Sequence, residues 1–336
     1  MGRSANEFKI LINFRDICMN NILSRFGVTS DSISKVDTYK AGHQGDVLLH
    51  DGDSDCYYVC TQYRKMQTIL NNFEIAIQEK MFLTGATTAR VHLTPTGCAK
   101  NGRHLLNTVK PYQGNREGKQ KPANLEELRN IAPEYFKDHP TIKVFSHYDI
   151  EADDALMIDH YHYQNGILVS ADKDLQISPH KSYNMDEGKF ETLLKGDRFG
   201  WIAKKEWLTP SLKPASKIIG KGTRFFLAQM IMGDVADNVK GLLKLNGKSC
   251  GEAAALALLK DVKEEVVAVN LVLDAYRAID QNPIPEAEAL WLLRNREDSA
   301  YKYLMEHELS KDNLLFLEDC YHERIWRREP DEDSLY

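Results

Sequence analysis

Carboxylates recur along this chain in short clusters, each placed just after an apolar run. Asp51 and Asp53 follow residues 46–50 (DVLLH). Glu151, Asp153 and Asp154 (EADDAL) follow residues 142–145, and Asp172 and Asp174 (SADKDL) follow residues 166–170 (GILVS). Asp234 and Asp237 (GDVADN) come after RFFLAQMI. If the first three runs are parallel strands, their carboxyl ends share one sheet edge, where open α/β sheets bind ligands. Seven carboxylates then meet there, with two more from the following helical region. So many like charges share a site only if cations neutralise them or protons bind. Oxygen ligands with little His or Cys suit Mg²⁺ or Mn²⁺ and not zinc. Two such ions about 4 Å apart would activate a water and stabilise the leaving oxygen of a phosphodiester. Each acid alone has a plainer reading, as a turn former, a helix N-cap or a partner of the helix dipole. Four groups in this order exceed that reading.

The charge distribution fits the same chemistry. The formal net charge is −6, which alone argues weakly against nucleic-acid binding. Residues 100–121, however, hold Lys100, Arg103, Lys110, Arg116, Lys119 and Lys121 against Glu117, a net +5. Residues 149–174 hold seven acids against Lys173, a net −6. A basic stretch followed by an acidic cluster is what an enzyme needs to hold an anion against metal ions; the plain alternative is two solvated surface segments. Within the basic stretch (KPYQGNREGKQK, residues 110–121), Arg and Lys side chains can grip phosphates, Asn115 can donate to them, and Tyr112 offers a flat face for a base.

The elements that must position these groups alternate. Strands are expected at 46–50, 89–93, 142–145 and 166–170, with helices at 54–83, 124–136 and 151–164. The apolar face of the first helix includes Tyr57, Cys60, Ile69, Phe73 and Ile77. The expected core is therefore α/β with a mostly parallel sheet. Residues 94–122, rich in Pro, Gly, Asn and Lys, read as a long loop or arch. No element is assigned between 175 and 222. Helical patterns then take over at 224–233, 249–260, 264–280 and 286–294. Between the first two, a turn containing Asn246, Gly247 and Lys248 suggests a helix–hairpin–helix element, which binds a duplex backbone through turn amides; an ordinary helical hairpin is the alternative. The organisation read is an N-terminal extension at 1–45 with a helix at 14–26, an α/β core at 46–222, and a helical DNA-binding region at 223–336 ending in an acidic tail at 329–336.

Composition bounds the rest. With 43% hydrophobic and 27% charged residues the chain reads as globular and not disordered. No apolar window is long enough for a membrane span, and no signal peptide is read at the N-terminus. The six Cys are scattered without a CxxC, so a reducing, cytoplasmic compartment is expected.

Taken together, DGD at 51–53, YQGNR at 112–116, EADD at 151–154, SADKD at 170–174 and GDVADN at 233–238 resemble the 5′ nuclease family: phage 5′→3′ exonucleases, flap endonucleases and the 5′-nuclease domains of bacterial DNA polymerases. The similarity covers roughly residues 46–260. It implies a PIN-like core, a helical arch admitting a 5′-ended single strand, a helical clamp on the duplex, and Mg²⁺-dependent hydrolysis that leaves 5′-phosphates. It implies Asp51, Glu151, Asp153, Asp154, Asp172, Asp174, Asp234 and Asp237 as ligands of two ions, with Asp51 and Asp153 central to catalysis. Arg116 would contact the scissile phosphate, and Lys110, Tyr112, Asn115, Lys119, Lys121, Gly247 and Lys248 would contact DNA. A monomer acting in phage replication, in the host cytoplasm, is the expected setting. Three features depart from the family pattern. Thr94 and Thr96 stand where an Asp is usual after the second strand, Gln113 replaces the Lys after the arch Tyr, and Lys244 and Asn246 fill Gly positions of the hairpin.

Two other readings compete. DGDSD at 51–55 with GDVADN can pass for a haloacid dehalogenase-type phosphatase, although that leaves EADD and SADKD unexplained. A DNA-binding module with a decayed active site is the other. A surface that only binds gains nothing from clustered carboxylates facing a polyanion.

Overall fold

The structure is a computed structural model that describes residues 45–62 and 64–329. The helix expected at 14–26, the rest of the N-terminal extension before residue 45, and the tail from 330 lie outside the described residues.

Four short apolar runs become the parallel strands β1 (Val47–Asp51), β2 (Thr88–Leu93), β3 (Ile142–Ser146) and β4 (Gly166–Val169). β1 and β4, in the middle of the sheet, are buried on both faces and read as nearly continuous hydrophobic stretches, whereas β3 at the edge alternates. With β5 (Ser182–Asn184) and β6 (Lys189–Glu191) the four strands form one sheet in the order β3-β2-β1-β4-β5-β6. Only the β5–β6 pair is antiparallel. The chain moves from β1 outward through β2 to β3, then returns to the other side of β1 as β4. That reversal opens a crevice at the carboxyl ends of β1 and β4, the usual ligand position in such sheets.

Successive residues send side chains to opposite faces, so β1 and β4 contribute to two cores. Leu48, Val91, Ile142 and Ile167 pack with Phe73 and Ile77 of α2 (Met66–Thr84) and with Leu128 of α3 (Leu125–Tyr135). Leu49 and Leu168 face the other way, onto Leu156 of α4 (Ala152–His162). The same cluster continues through α5 (Thr223–Met232), α6 (Glu252–Leu259), α7 (Glu265–Arg277), α8 (Ile284–Leu290), α9 (Ala300–Met305) and α10 (Lys311–His322). The C-terminal helices thus share one core with the sheet. Among the described residues no helix is long and apolar enough to cross a membrane.

Three expectations need correction. The helix expected at 54–83 is two helices, α1 (Gly52–Val59) and α2, with a break between them. Thr61 Oγ donates to the Tyr58 carbonyl at 2.8 Å, an alternative hydrogen bond that helps end α1, and Tyr57 lies exposed instead of on an apolar face. Residues 94–122 are a loop, as one of the two readings had it, but the helical arch implied by the resemblance is not formed there: only short 3-10 turns occur, at Lys100–Leu105 and Gly114–Arg116, and the second lies against the acids. Finally, residues 201–221 form an antiparallel ribbon, β7 (Trp201–Leu208) and β8 (Pro214–Lys221), where no element was expected. Most of its side chains are solvent-exposed, so it lacks the apolar alternation that marks a half-buried strand.

His160 on α4 is buried, with Nε2 2.9 Å from the Lys181 carbonyl and Nδ1 2.8 Å from Ser178 Oγ. Burial, with the charges of His180 and Lys221 nearby, pushes the imidazole pKa down to about 3. The unfolded chain takes up this proton near pH 6.5. The folded protein should therefore lose stability as the pH falls from about 6.5, by up to about 1.4 kcal/mol per pH unit from this group. Urea midpoints between pH 7 and 4.5 should show a flatter slope for His160→Gln; an unchanged slope would remove His160 from the acid sensitivity.

Candidate active site

Each acid is delivered by the end of an element. Asp51 ends β1 and caps α1, accepting from the Asp53 amide at 3.0 Å. Between them Gly52 brings α1 against β2: a Cβ there would sit 2.6 Å from Val91 Cγ1. Asp172 follows β4 and caps the 3-10 turn Lys173–Ile177, accepting from the Asp174 amide at 2.9 Å. Ser170 Oγ ties the two strand ends together, donating to Asp51 at 3.1 Å and accepting from the Asp172 amide at 2.9 Å. Glu151 occupies the N-cap position of α4 and Asp153 lies in its first turn. Asp234 follows α5 through Gly233, whose φ of 74° and contact with the Val239 carbonyl leave no room for a Cβ. Asp234 and Val239 then exchange backbone hydrogen bonds at 2.8 Å, closing the turn that carries Asp237.

The acids form two adjoining groups. Asp51, Asp153 and Asp172 make the first. Burial raises the Asp153 carboxyl well above its usual range, and the charges of Asp51, Asp172 and Glu151 raise it further. Asp51 and Asp172 are raised by burial in the same way. In the second group, oxygens of Asp174, Asp234 and Asp237 lie within 4.8 Å of one another. Burial lifts Asp174 well above its usual range, with Asp172 adding to the shift. Asp234 Oδ2 is buried and has no hydrogen-bond partner. Asp174, Asp234 and Asp237 are thus placed where a cation could be held among them.

Part of the charge is met from within. Lys173 Nζ lies 3.0 Å from Asp174 and 2.9 Å from Asp234. Lys100 Nζ lies 3.3 Å from Glu151 and also bonds Gln113. Burial works to raise the Glu151 carboxyl, but Arg103 and Lys100 hold it below its usual value. Gln113, at the position where Lys was expected, thus stands beside a lysine that sequence alone did not single out. Its amide also donates to Asp237 at 3.0 Å.

Not every expected ligand reaches the pocket. Asp154 is fully buried and turned the other way. Arg103 grips both of its oxygens, at 2.6 and 2.8 Å, and the Leu293 amide donates to one of them at 3.2 Å. Its carboxylate is spent on joining α4 to the C-terminal helices, so its expected role as a metal ligand is corrected. Asp53 accepts from the Thr94 amide at 3.1 Å and pairs with Arg129 at 2.8 Å. Thr94, standing where an Asp was expected, instead accepts from the Ala152 amide at 2.8 Å, at the start of α4.

The basic segment is closer to the acids than a free arch would be. The Tyr112 hydroxyl donates to Glu151 at 2.8 Å and its ring packs on the core, so it is not the open base platform expected. Asn115 Nδ2 donates to the Val235 carbonyl at 2.8 Å. Arg116, half exposed, pairs with Asp237 at 2.5 Å. Lys110, Lys119 and Lys121 are exposed. In the expected hairpin, α5 and α6 are joined through two-residue strands β9 (Lys244–Leu245) and β10 (Lys248–Ser249). Asn246 and Gly247 turn between them with φ of 50° and 77°, a hairpin turn that Asn-Gly favours. Gly247 and Lys248 are exposed there.

No protein-family model and no curated protein sequence matches the chain. Among solved structures it is similar to the T5 D15 protein co-crystallized with metal ions, at 17% identity and a TM-score of 0.46, covering 82% of this chain and 97% of that one. It is also similar to a mutant T5 5′-exonuclease, at 14% identity and a TM-score of 0.43 over 82% and 97% of the two chains. A third is a bacteriophage T5 D15 flap endonuclease complex with DNA and metal ions, at 16% identity and a TM-score of 0.40 over 81% and 99%. The acids gathered at the sheet edge, and not this likeness, carry the functional reading.

Arg103 is 3% exposed and neutralises a fully buried carboxylate. Arg103→Met should lower unfolding free energy by about 3–5 kcal/mol, the cost of an uncompensated buried charge. Adding Asp154→Leu should restore much of it, as read by urea denaturation. A single variant as stable as its parent would contradict the structural role given to this pair.

Proposed function

We propose that the chain is a divalent-metal-dependent nuclease acting from 5′ ends, a 5′→3′ exonuclease and 5′ flap endonuclease that leaves 5′-phosphates. The observation that carries this reading is the meeting of Asp51, Asp153, Asp172, Asp174, Asp234 and Asp237 at one sheet edge, several of them with raised carboxyl pKa values. The all-oxygen donor set suits Mg²⁺ or Mn²⁺. Asp51, Asp153 and Asp172, with Glu151 beside them, would hold one ion; Asp174, Asp234 and Asp237 would hold the other. When bound, such ions supply positive charge to a phosphodiester in flight and acidify the attacking water.

The chain's own groups do the rest. Arg116, half exposed at the second group, offers its guanidinium to an incoming phosphate. Ser170 fixes Asp51 against Asp172, which keeps the first group in place before substrate arrives. The 5′ polarity rests on the ordered motif resemblance, as does a role in removing primers or degrading DNA, or RNA–DNA hybrids, during phage replication. The phosphatase reading loses support because Asp53 is bound to Thr94 and Arg129, so the DGD motif offers no second free carboxyl.

A 5′-labelled flapped duplex tests the proposal. Cleavage should occur with Mg²⁺ and stop with chelator, and Asp153→Ala should slow it by at least about 100-fold. No cleavage, or a rate untouched by Asp153→Ala, would sink it.

A further inference from the structure

The ribbon β7–β8 takes no part in the chemistry above, yet it is rooted in the same site. The Gly222 amide at its base donates to the Gln176 carbonyl at 2.8 Å, within the 3-10 turn that Asp172 caps. Its second strand leads directly into α5, which delivers Asp234. From that root the strands run eight residue pairs outward to a turn closed by a hydrogen bond from the Thr209 amide to the Lys213 carbonyl, at 2.9 Å.

The ribbon is cationic. Residues 201–221 contain five lysines against one glutamate. In the register Lys205 lies directly opposite Lys217, and Trp207 lies opposite Ala215 two places further out. Alternation puts Trp201, Lys205, Trp207 and Lys217 on one face. The other face leans on α6, where Lys204, Ser216 and Ile218 line a groove with Leu256 and Lys260. Like charges directly opposite one another destabilise an antiparallel pair. Glu187 offsets Lys205 at 2.9 Å, while Lys217 Nζ lies 6.0 Å from the centre of the Trp207 ring. Trp207 is 43% exposed and Trp201 41%. Two half-exposed indoles thus stand beside a lysine pair on one face of the ribbon.

Flat aromatic faces next to ammonium groups hold single-stranded nucleic acid: a base stacks on the ring and a lysine takes the adjoining phosphate. A duplex offers no free base face to an indole. We propose that this face of the ribbon binds single-stranded DNA, with Trp207 stacking a base and Lys205 and Lys217 gripping the phosphates beside it. The inference rests on the nuclease reading for the choice of polyanion, and it adds a hold on the single-stranded part of the substrate away from the acids.

The test uses the full chain with Ca²⁺ in place of Mg²⁺, a labelled oligothymidylate and a blunt duplex of equal length. The oligonucleotide should quench tryptophan fluorescence. Trp207→Ala, and separately Lys205→Ala with Lys217→Ala, should each weaken single-strand binding by about tenfold and leave duplex binding unchanged. Trp207→Phe should recover part of the loss, and the double lysine variant should show a shallower dependence on salt. Variants that bind the oligonucleotide as tightly as the parent, while the parent cuts a flapped duplex in Mg²⁺, overturn the ribbon assignment alone. A parent that binds through the ribbon but never cuts overturns the nuclease reading and upholds the ribbon.

Discussion

Repulsion among carboxylates held at one sheet edge is the constraint on which the rest of this structure depends. Burial and mutual charge raise Asp51, Asp153, Asp172 and Asp174 together, so the folded chain holds an arrangement that is unfavourable by itself. The scaffold over-determines it. Three acids are attached to strand ends through N-caps and first turns, and Gly52 and Gly233 occupy positions where any side chain would collide with neighbouring strand or backbone atoms. The topological reversal between β1 and β4 opens the crevice that receives them.

Internal cations limit the strain without abolishing it. Arg103 removes Asp154 from the pocket and ties α4 to the C-terminal helices, so the sheet and the helical region fold as partners. Lys173 and Lys100 approach the pocket from its own turn and from the basic segment. Lys173 and His50 act on Asp172 and Asp51 from a distance, but among the described residues no lysine or arginine forms an ion pair with the first group. That imbalance is what external cations would resolve.

Much of this was legible in the sequence, for physical reasons. A carboxylate just past a buried apolar run is conspicuous, and the order DGD, EADD, SADKD and GDVADN placed six acids that the fold does bring together. Asp154 shows the limit. Its neighbour Asp153 has the same residue type in the same helical turn, but consecutive helical positions face different ways, and Asp154 meets Arg103 from 51 positions away. The pairing of Lys100 with Gln113 is hidden for the same reason, since it arises from a contact between positions 13 apart in the basic segment. The ribbon is illegible in the sequence because its exposed strands carry no apolar alternation, and the break between α1 and α2 carries no Gly or Pro to mark it.

The most direct measurement of the central claim is anomalous diffraction from crystals soaked in Mn²⁺. Two peaks should appear, one against Asp51, Asp153 and Asp172 and one against Asp174, Asp234 and Asp237, with Asp154 still held by Arg103. Crystals that take up no manganese at the sheet edge, with those carboxylates left facing one another, would contradict the account.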